Sequence, residues 1–345
     1  MGKRGRVGLK DIAAETGVSS AAVSLVLNNR PGVSHETRRR VSDAAKQLGY
    51  EPRRSRVPAP TLQPPSTLRS VGFFAFGVNA ALGHSYYGDI LSGASAEARE
   101  RGVQLTFEAF DDGTPEAAEL PVHAADGLLI SGRPPRDFVL RLQREKVPYI
   151  LVCCSLAHLP GDTIGPENVE SSYQAVSYLA GLGHRRIAYL GGEPDNADAR
   201  ERYLGYRWAV EDLGLEDDKK LALLSFFDTE HGMSGLHQLL EQAGSFTALY
   251  AASDFLAMGV YRSARELGIS IPDQLSVFGF DNNALCETLH PTLSTMGLDR
   301  ERVGRLAIRR LSSIVTTPQD ATITRVPASL IERESCQALP KPVGS

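Results

Sequence analysis

Apolar residues follow two different periods along this chain. In Leu9–Asn29, LKDIAAETGVSSAAVSLVLNN, Ile12 and Ala13 supply an apolar face. Val23, Val26 and Leu27 then recur at i, i+3 and i+4, the spacing of a buried helix face. Gly17 between the two stretches suits the positive φ of a tight turn, and Ser19 is placed to cap the second helix. A third helix starts with Ser34 as cap and Glu36 in its first turn, carries Val41, Ala45 and Leu48 at core spacing, and ends at Gly49. Two short helices across a glycine turn make the unit that sets its second helix in the DNA major groove.

From Val71 the pattern changes to short apolar runs between amphipathic stretches. VGFFAF (71–76), VQLTFEAF (103–110), GLLIS (127–131), PYILVCC (148–154), RRIAYLGG (185–192), LALLSFF (221–227), TALYAAS (247–253) and LSVFGFD (275–281) predict strands. Helices are predicted over Tyr87–Arg101, Glu170–Leu182, Glu201–Leu213, Met233–Gln242 and Phe255–Leu267. Strands alternating with helices imply parallel sheets covered on both faces, and so many strands suit two doubly wound lobes better than one sheet. Between head and core, EPRRSRVPAPTLQPPSTLRS (51–70) has five prolines and no apolar period, and reads as a linker.

Charge divides along the same line. Residues 1–56 hold 12 Lys/Arg against 5 Asp/Glu, whereas the whole chain has a net charge of −4, which leaves −11 on residues 57–345. A basic head on an acidic body fits a phosphate-binding module attached to something that does not touch nucleic acid. No apolar run is long enough for a membrane span, and the charged amino terminus has no apolar segment of a secretion signal, so a cytoplasmic, nucleoid-associated protein is expected. Cys153, Cys154, Cys286 and Cys336 have neither zinc spacing nor a disulfide pattern. No metal or cofactor is expected.

In doubly wound sheets, ligands bind beyond the carboxyl ends of the strands. Residues just after the predicted strands are His84, Tyr86 and Tyr87, Ser131 and Arg133, Cys153 and Cys154, and then Asp198, Arg200 and Arg202. Phe227, Ser253 with Asp254, and Asp281 with Asn282 complete the set. Aromatic faces mixed with charged and hydroxyl groups suit a small polar ligand held by stacking and directional hydrogen bonds.

At this point the residues resemble the LacI/GalR (lactose-repressor) family over nearly the whole chain. LKDIAAETGVSSAAVSLVLN (9–28), VSHETR (33–38) and LGYEP (48–52) resemble its DNA-binding head. GHRRIAYLGG (183–192), ARERYLGYRWAV (199–210), AASDFLAMGVYRSARELGISIPDQLSVFGFDN (251–282) and HPTLSTM (290–296) resemble its effector-binding core. The resemblance implies an all-α helix-turn-helix head on an α/β core like a periplasmic binding protein, two lobes joined by three chain crossings. The implied divisions are a head over 1–52, a Pro/Arg-rich hinge linker over 53–70, a core over 71–333 and a flexible tail over 334–345. Lobe 1 is expected at 71–166 and 295–321, and lobe 2 at 167–294 and 322–333.

Carried over residue by residue, the resemblance makes Ser20, Ala21 and Leu25 the base-reading positions, and Ser24, Asn28, Ser34 and Thr37 the phosphate contacts. Ala21 and Leu25 offer only apolar contact, for example to a thymine methyl, where many relatives carry longer polar groups and an arginine. Recognition should then lean on methyl contacts and DNA shape; the alternative for Leu25 is a core residue of its helix. Ala59 stands between Pro58 and Pro60 where relatives wedge a hinge-helix leucine into the minor groove, so that wedge is not carried over. Arg53, Arg54 and Arg56 are expected to flank the minor groove or to form a solvated charged linker.

In the core, the resemblance places Tyr86 and Tyr87 near the ligand or the lobe interface and assigns ligand contact to Cys153, Arg202, Phe227, Ser253 and Asp281, while Ser131 joins them from its place at a strand end. The alternatives are a structural ion pair for Arg202 and Asp281 and core packing for the tyrosines and Phe227. Arg202 would grip a ligand hydroxyl or carboxylate, Asp281 would accept hydrogen bonds, and Phe227 would stack. Ser253 replaces a frequent Asn, and Cys153–Cys154 replace a frequent Asp–Arg pair, which removes strong polar handles. A sugar-like or smaller ligand, or a degenerate ligand-independent core, both fit that change. The implied partners are pseudo-palindromic double-stranded operator DNA, a small-molecule effector and a second copy of the chain in a homodimer. The implied function is transcriptional regulation, with repression expected. An enzyme is not expected: there is no GxGxxG after the first strand, no GxxxxGK[ST], no GxSxG and no HExxH.

Overall fold

Gly17 adopts φ +67°, and the chain turns there between α1 (Leu9–Thr16) and α2 (Ser20–Leu27). Glycine enters this conformation without a Cβ penalty. Ser19 Oγ accepts from the Ala22 amide at 3.2 Å, so the expected cap of α2 is in place. With α3 (His35–Gln47), Ile12, Val23, Val26, Val41, Ala44 and Ala45 meet in one buried cluster. Leu9, Ala13, Val18, Val33 and Leu48 pack around it.

The computed structural model describes residues 9–27, 33, 35–48, 67–77, 85–110, 120–123, 125–154, 156, 159, 161–317 and 319–340. It divides into two units, 1–63 and 64–345. The expected cap Ser34, the helix stop Gly49 and the proline-flanked Ala59 lie outside the described residues.

The second unit begins with β1 (Ser70–Phe76), α4 (Ser85–Glu100), β2 (Gln104–Phe110), β3 (Gly127–Gly132), α5 (Arg136–Glu145), β4 (Tyr149–Val152) and β5 (Asp162–Pro166). It continues through α6 (Asn168–Gly181), β6 (Ile187–Gly191), α7 (Ala197–Asp212), β7 (Ala222–Leu224), α8 (Thr229–Ala243) and β8 (Ala248–Ala251). Then come α9 (Asp254–Leu267), β9 (Ser276–Asp281) and β10 (Ser294–Gly297), followed by α10 (Arg300–Thr316), β11 (Ile323–Val326) and β12 (Ser329–Ile331). The strands form two six-stranded sheets, β11-β5-β4-β3-β1-β2 in lobe 1 and β12-β10-β9-β8-β6-β7 in lobe 2. The pairings are parallel except for β10 with β12. The central strand β9 is buried throughout and β1 from Val71 onward, whereas the edge strand β2 alternates in exposure, as expected for a sheet covered on both faces.

Three links join the lobes: β5 to α6, β10 to α10, and β11 to β12. The expected lobe limits need two corrections. β10 pairs with β9 in lobe 2, so 295–297 belongs to that lobe and not to lobe 1. β11 pairs with β5 in lobe 1, so 323–326 belongs to that lobe and not to lobe 2. These strands have three to five residues, as do β5 and β12, which the apolar pattern did not predict. Such segments carry too little pattern to reveal their sheet.

The expected flexible tail is also corrected over 334–340. Ser335 is fully buried; its Oγ donates to the Val277 carbonyl at 2.6 Å and accepts from the Ser294 amide at 2.8 Å. The Leu339 amide donates to the Leu182 carbonyl at 2.8 Å. Buried backbone groups of lobe 2 find partners in this segment, and that demand orders it.

Candidate functional site

On the head, Ser20 opens α2 and is exposed, while Leu25 is half-buried and stands outside the cluster that holds the three helices together. Ala21 and Ser24 share α2 with them. Thr37 is half-buried in the first turn of α3. Asn28, Ser34, Arg53, Arg54 and Arg56 lie outside the described residues.

The core holds a cleft at the carboxyl ends of both sheets. Two adjoining hollows of about 270 and 500 Å³ share Gly132, Arg133, Cys153, Asn196 and Asp198 as lining. Of the predicted ligand residues, Tyr87, Cys153, Arg202, Phe227, Ser253 and Asp281 line the larger hollow. Ser131 is not among its lining residues: it is fully buried and donates to the Val152 carbonyl at 2.7 Å. Its place in β3, next to the lining residue Gly132, puts it behind the wall. Tyr86 lies in the first turn of α4, and its side chain is outside the described set.

Arg202 projects from α7, with its side chain only 4% exposed. Nε donates to Asn168 Oδ1 at 2.9 Å, Nη1 to the Ala252 carbonyl at 2.6 Å, and Nη2 to Asp281 Oδ1 at 3.2 Å. Asn168, the first residue of α6, turns its amide to Asp198 Oδ1 at 3.0 Å and Glu201 Oε2 at 2.9 Å. One buried carboxamide at a lobe crossing thereby sets both Arg202 and Asp198. Neither its packing nor its role was predicted, since it lies just before the predicted helix start at Glu170. Asp198 follows a predicted strand without being among the predicted ligand contacts, and it lines both hollows.

Burial dominates the electrostatics. It raises the carboxyl groups of Asp198 and Asp281 above the ordinary range, with the Arg202 guanidinium opposing both shifts and Arg300 also opposing that of Asp281. Asp254, the first residue of α9, is raised by burial and then by the charge of Asp281. It accepts from the Asn283 amide at 2.6 Å and Thr295 Oγ1 at 2.7 Å, which fixes the loop after β9. Ser253 caps α9 by accepting from the Phe255 amide at 3.1 Å, leaving its own hydrogen to donate. Burial also pushes the Cys154 thiol well up, which opposes the thiolate that redox chemistry needs.

A turn-and-helix unit in the head and a cleft lined from both lobes of the core define a DNA-binding regulator with a candidate effector cleft. Residues 8–53 match the family described as bacterial regulatory proteins, lacI family, and residues 176–336 match the periplasmic binding protein-like domain. The chain is 30% identical over 335 residues to the HTH-type transcriptional repressor PurR of Pectobacterium carotovorum, covering 95% of this chain and 96% of that one. It is 28% identical over 338 residues to the HTH-type transcriptional repressor CytR of Escherichia coli, covering 96% and 97%. A solved transcriptional regulator CelR–cellobiose complex superposes with a TM-score of 0.73 at 28% identity, covering 96% of this chain and all of that one. The lac repressor dimer bound to operator and the anti-inducer ONPF shares the fold, with a TM-score of 0.68 at 23% identity over 97% of this chain and all of that one. The chain belongs to the lacI family of bacterial regulatory proteins. It is a DNA-binding transcriptional regulator and not an enzyme. Among the described residues, no helix is long and apolar enough to cross a membrane.

Proposed function

We propose that this regulator is a homodimeric, nucleoid-associated repressor whose hold on a pseudo-palindromic operator is set by a small sugar-like ligand in the interlobe cleft. The observation that carries the reading is the convergence of Tyr87, Arg202, Phe227, Ser253 and Asp281, drawn from both lobes, around one hollow of about 500 Å³. Carboxylates at Asp198 and Asp281 accept hydroxyl donors, and the Phe227 and Tyr87 rings offer faces for the apolar side of a ring. Cellobiose in the related CelR complex supports that class of ligand. A ligand that binds one lobe arrangement better than the other shifts operator affinity, and DNA shifts ligand affinity by the same factor. Ser20, Ala21 and Leu25 are proposed to face base edges. Ser24, Asn28, Ser34, Thr37, Arg53, Arg54 and Arg56 are proposed to serve the phosphates or the minor groove.

A second reading, a core that works without effector, is favoured by the Arg202 donors already spent on Asn168, Ala252 and Asp281. Genomic footprinting with the full chain would name the bound sites and their neighbouring genes. Calorimetry with metabolites of that pathway would then compare wild type with Arg202→Ala and Asp281→Ala. Binding lost in both variants supports the cleft; unchanged affinity in both removes it, and no binding to wild type favours the second reading.

A further inference from the structure

The end of β9 and the loop that follows are bent against ordinary backbone preference: Asp281 has φ +112° and Asn282 φ +54°. Neither is glycine, so surrounding groups must hold the bend. Arg202 grips the Asp281 carboxylate, Arg333 donates to Asn282 Oδ1 at 2.9 Å, and Asp254 holds the Asn283 amide. All three belong to lobe 2. The fourth grip comes from the other lobe. Arg300, the first residue of α10, donates through Nη1 to the Asp281 carbonyl and through Nη2 to the Asn282 carbonyl at 3.4 Å. The same guanidinium reaches Asp89 Oδ2 on α4 from Nε at 3.0 Å and from Nη2 at 2.6 Å. Arg300 is 7% exposed.

What Arg300 holds on its own side is a stiff pair of helices. A Cβ added at Gly93 would overlap the carbonyl of Glu301, and one at Gly304 would overlap the carbonyl of Ile90. α4 and α10 therefore touch backbone to backbone, and neither can shift without carrying the other. Lobe 1 is also the lobe that the chain enters after the linker.

We propose that Arg300 is a positioning residue that couples the cleft carboxylate Asp281 to the α4–α10 pair of lobe 1. The proposal rests on the cleft being the effector site. A ligand donor on the Asp281 carboxylate competes with Arg202 and shifts the loop carbonyls, and Arg300 passes that shift to Asp89. The coupling is reciprocal, so loosening Asp89 must loosen the loop across the lobe boundary.

Hydrogen exchange on the full-length chain tests this without any effector. Asp89→Ala should speed exchange of the amides at 283–287 by about tenfold, the loss expected for a charge-assisted hydrogen bond. Asp89→Asn, which keeps an acceptor in place, should fall between wild type and Asp89→Ala. Arg300→Lys should speed the same amides while leaving β8 unchanged. Faster exchange confined to α4 and α10 overturns the proposal, and so does faster exchange spread evenly into β8, which would mean general destabilisation. Either failure leaves the effector reading to its own calorimetric test.

Discussion

The Arg202 guanidinium lies over the Phe280 ring, its central carbon 3.8 Å from the ring centroid. Its nitrogens face the opposite kind of surroundings, the carboxylate of Asp281 and the acceptors of Asn168 and Ala252. The planar group is thus packed on one face and hydrogen-bonded at its edge, an arrangement an ammonium cannot copy.

Arg202→Ala should lower core stability by about 3 kcal/mol, because Asp281 and Asn168 lose a buried cationic partner. Arg202→Lys should restore only part of that. Urea denaturation of the full chain reads both, and equal stability of wild type and Arg202→Ala would contradict the packing described.

Glu97 on α4 is held well below the ordinary carboxylate value of 4.5, at about 2, by hydrogen bonds from Arg309 and then from Arg101. Arg309 reaches it through Nε and Nη2, both at 2.9 Å. A lowered value in the folded state means that the unfolded chain binds the proton more readily. The stability contributed is complete above about pH 4.5 and is lost as pH falls toward about 2. Glu97→Gln should be about 2 kcal/mol less stable at neutral pH. Its acid-denaturation curve should be flatter than that of wild type between those limits.

Gly304→Ala should cost about 1–3 kcal/mol by forcing α10 away from the Ile90 carbonyl of α4. Gly102→Ala is a control: its Cβ would meet open space, so only the strain of φ +67° remains. Thermal melts of the two variants should differ, with the larger loss at Gly304.

Ile12 is fully buried at the centre of the head cluster, and Leu25 stands outside it. Ile12→Ala should destabilise the head by about 2–5 kcal/mol and leave core unfolding unchanged. Leu25→Ala should keep the head folded and weaken binding to genomic fragments selected by the wild type. Both effects are read by circular dichroism and gel-shift titration. Removing residues 1–56 should abolish DNA binding, and log affinity of the intact chain should fall linearly with log salt.

Much of this protein is carried by local spacing. The helix-turn-helix could be read because Gly17, Ser19 and the Val23–Val26 spacing are near neighbours whose meaning does not depend on distant contacts. The central strands were equally plain, since a strand buried on both faces is an unbroken apolar run. Six residues that line the larger hollow are legible because they lie at or beyond the carboxyl ends of strands and match family positions. α5 and α10 carry helical spacing as well, in Phe138, Val139 and Leu142 and in Val303, Ala307 and Leu311.

The rest depended on pairing between segments far apart in the chain. A four-residue strand such as β11 has no period that names its sheet; its hydrogen-bond partner β5 does. Ser131 lies near the carboxyl end of β3 and Arg202 in the helix after β6, yet one stands behind the wall and the other lines the hollow. Asn168, Ser335 and Arg300 have no marked sequence pattern. Their importance comes from buried polar groups that folding brings to them and that must be satisfied once water is gone.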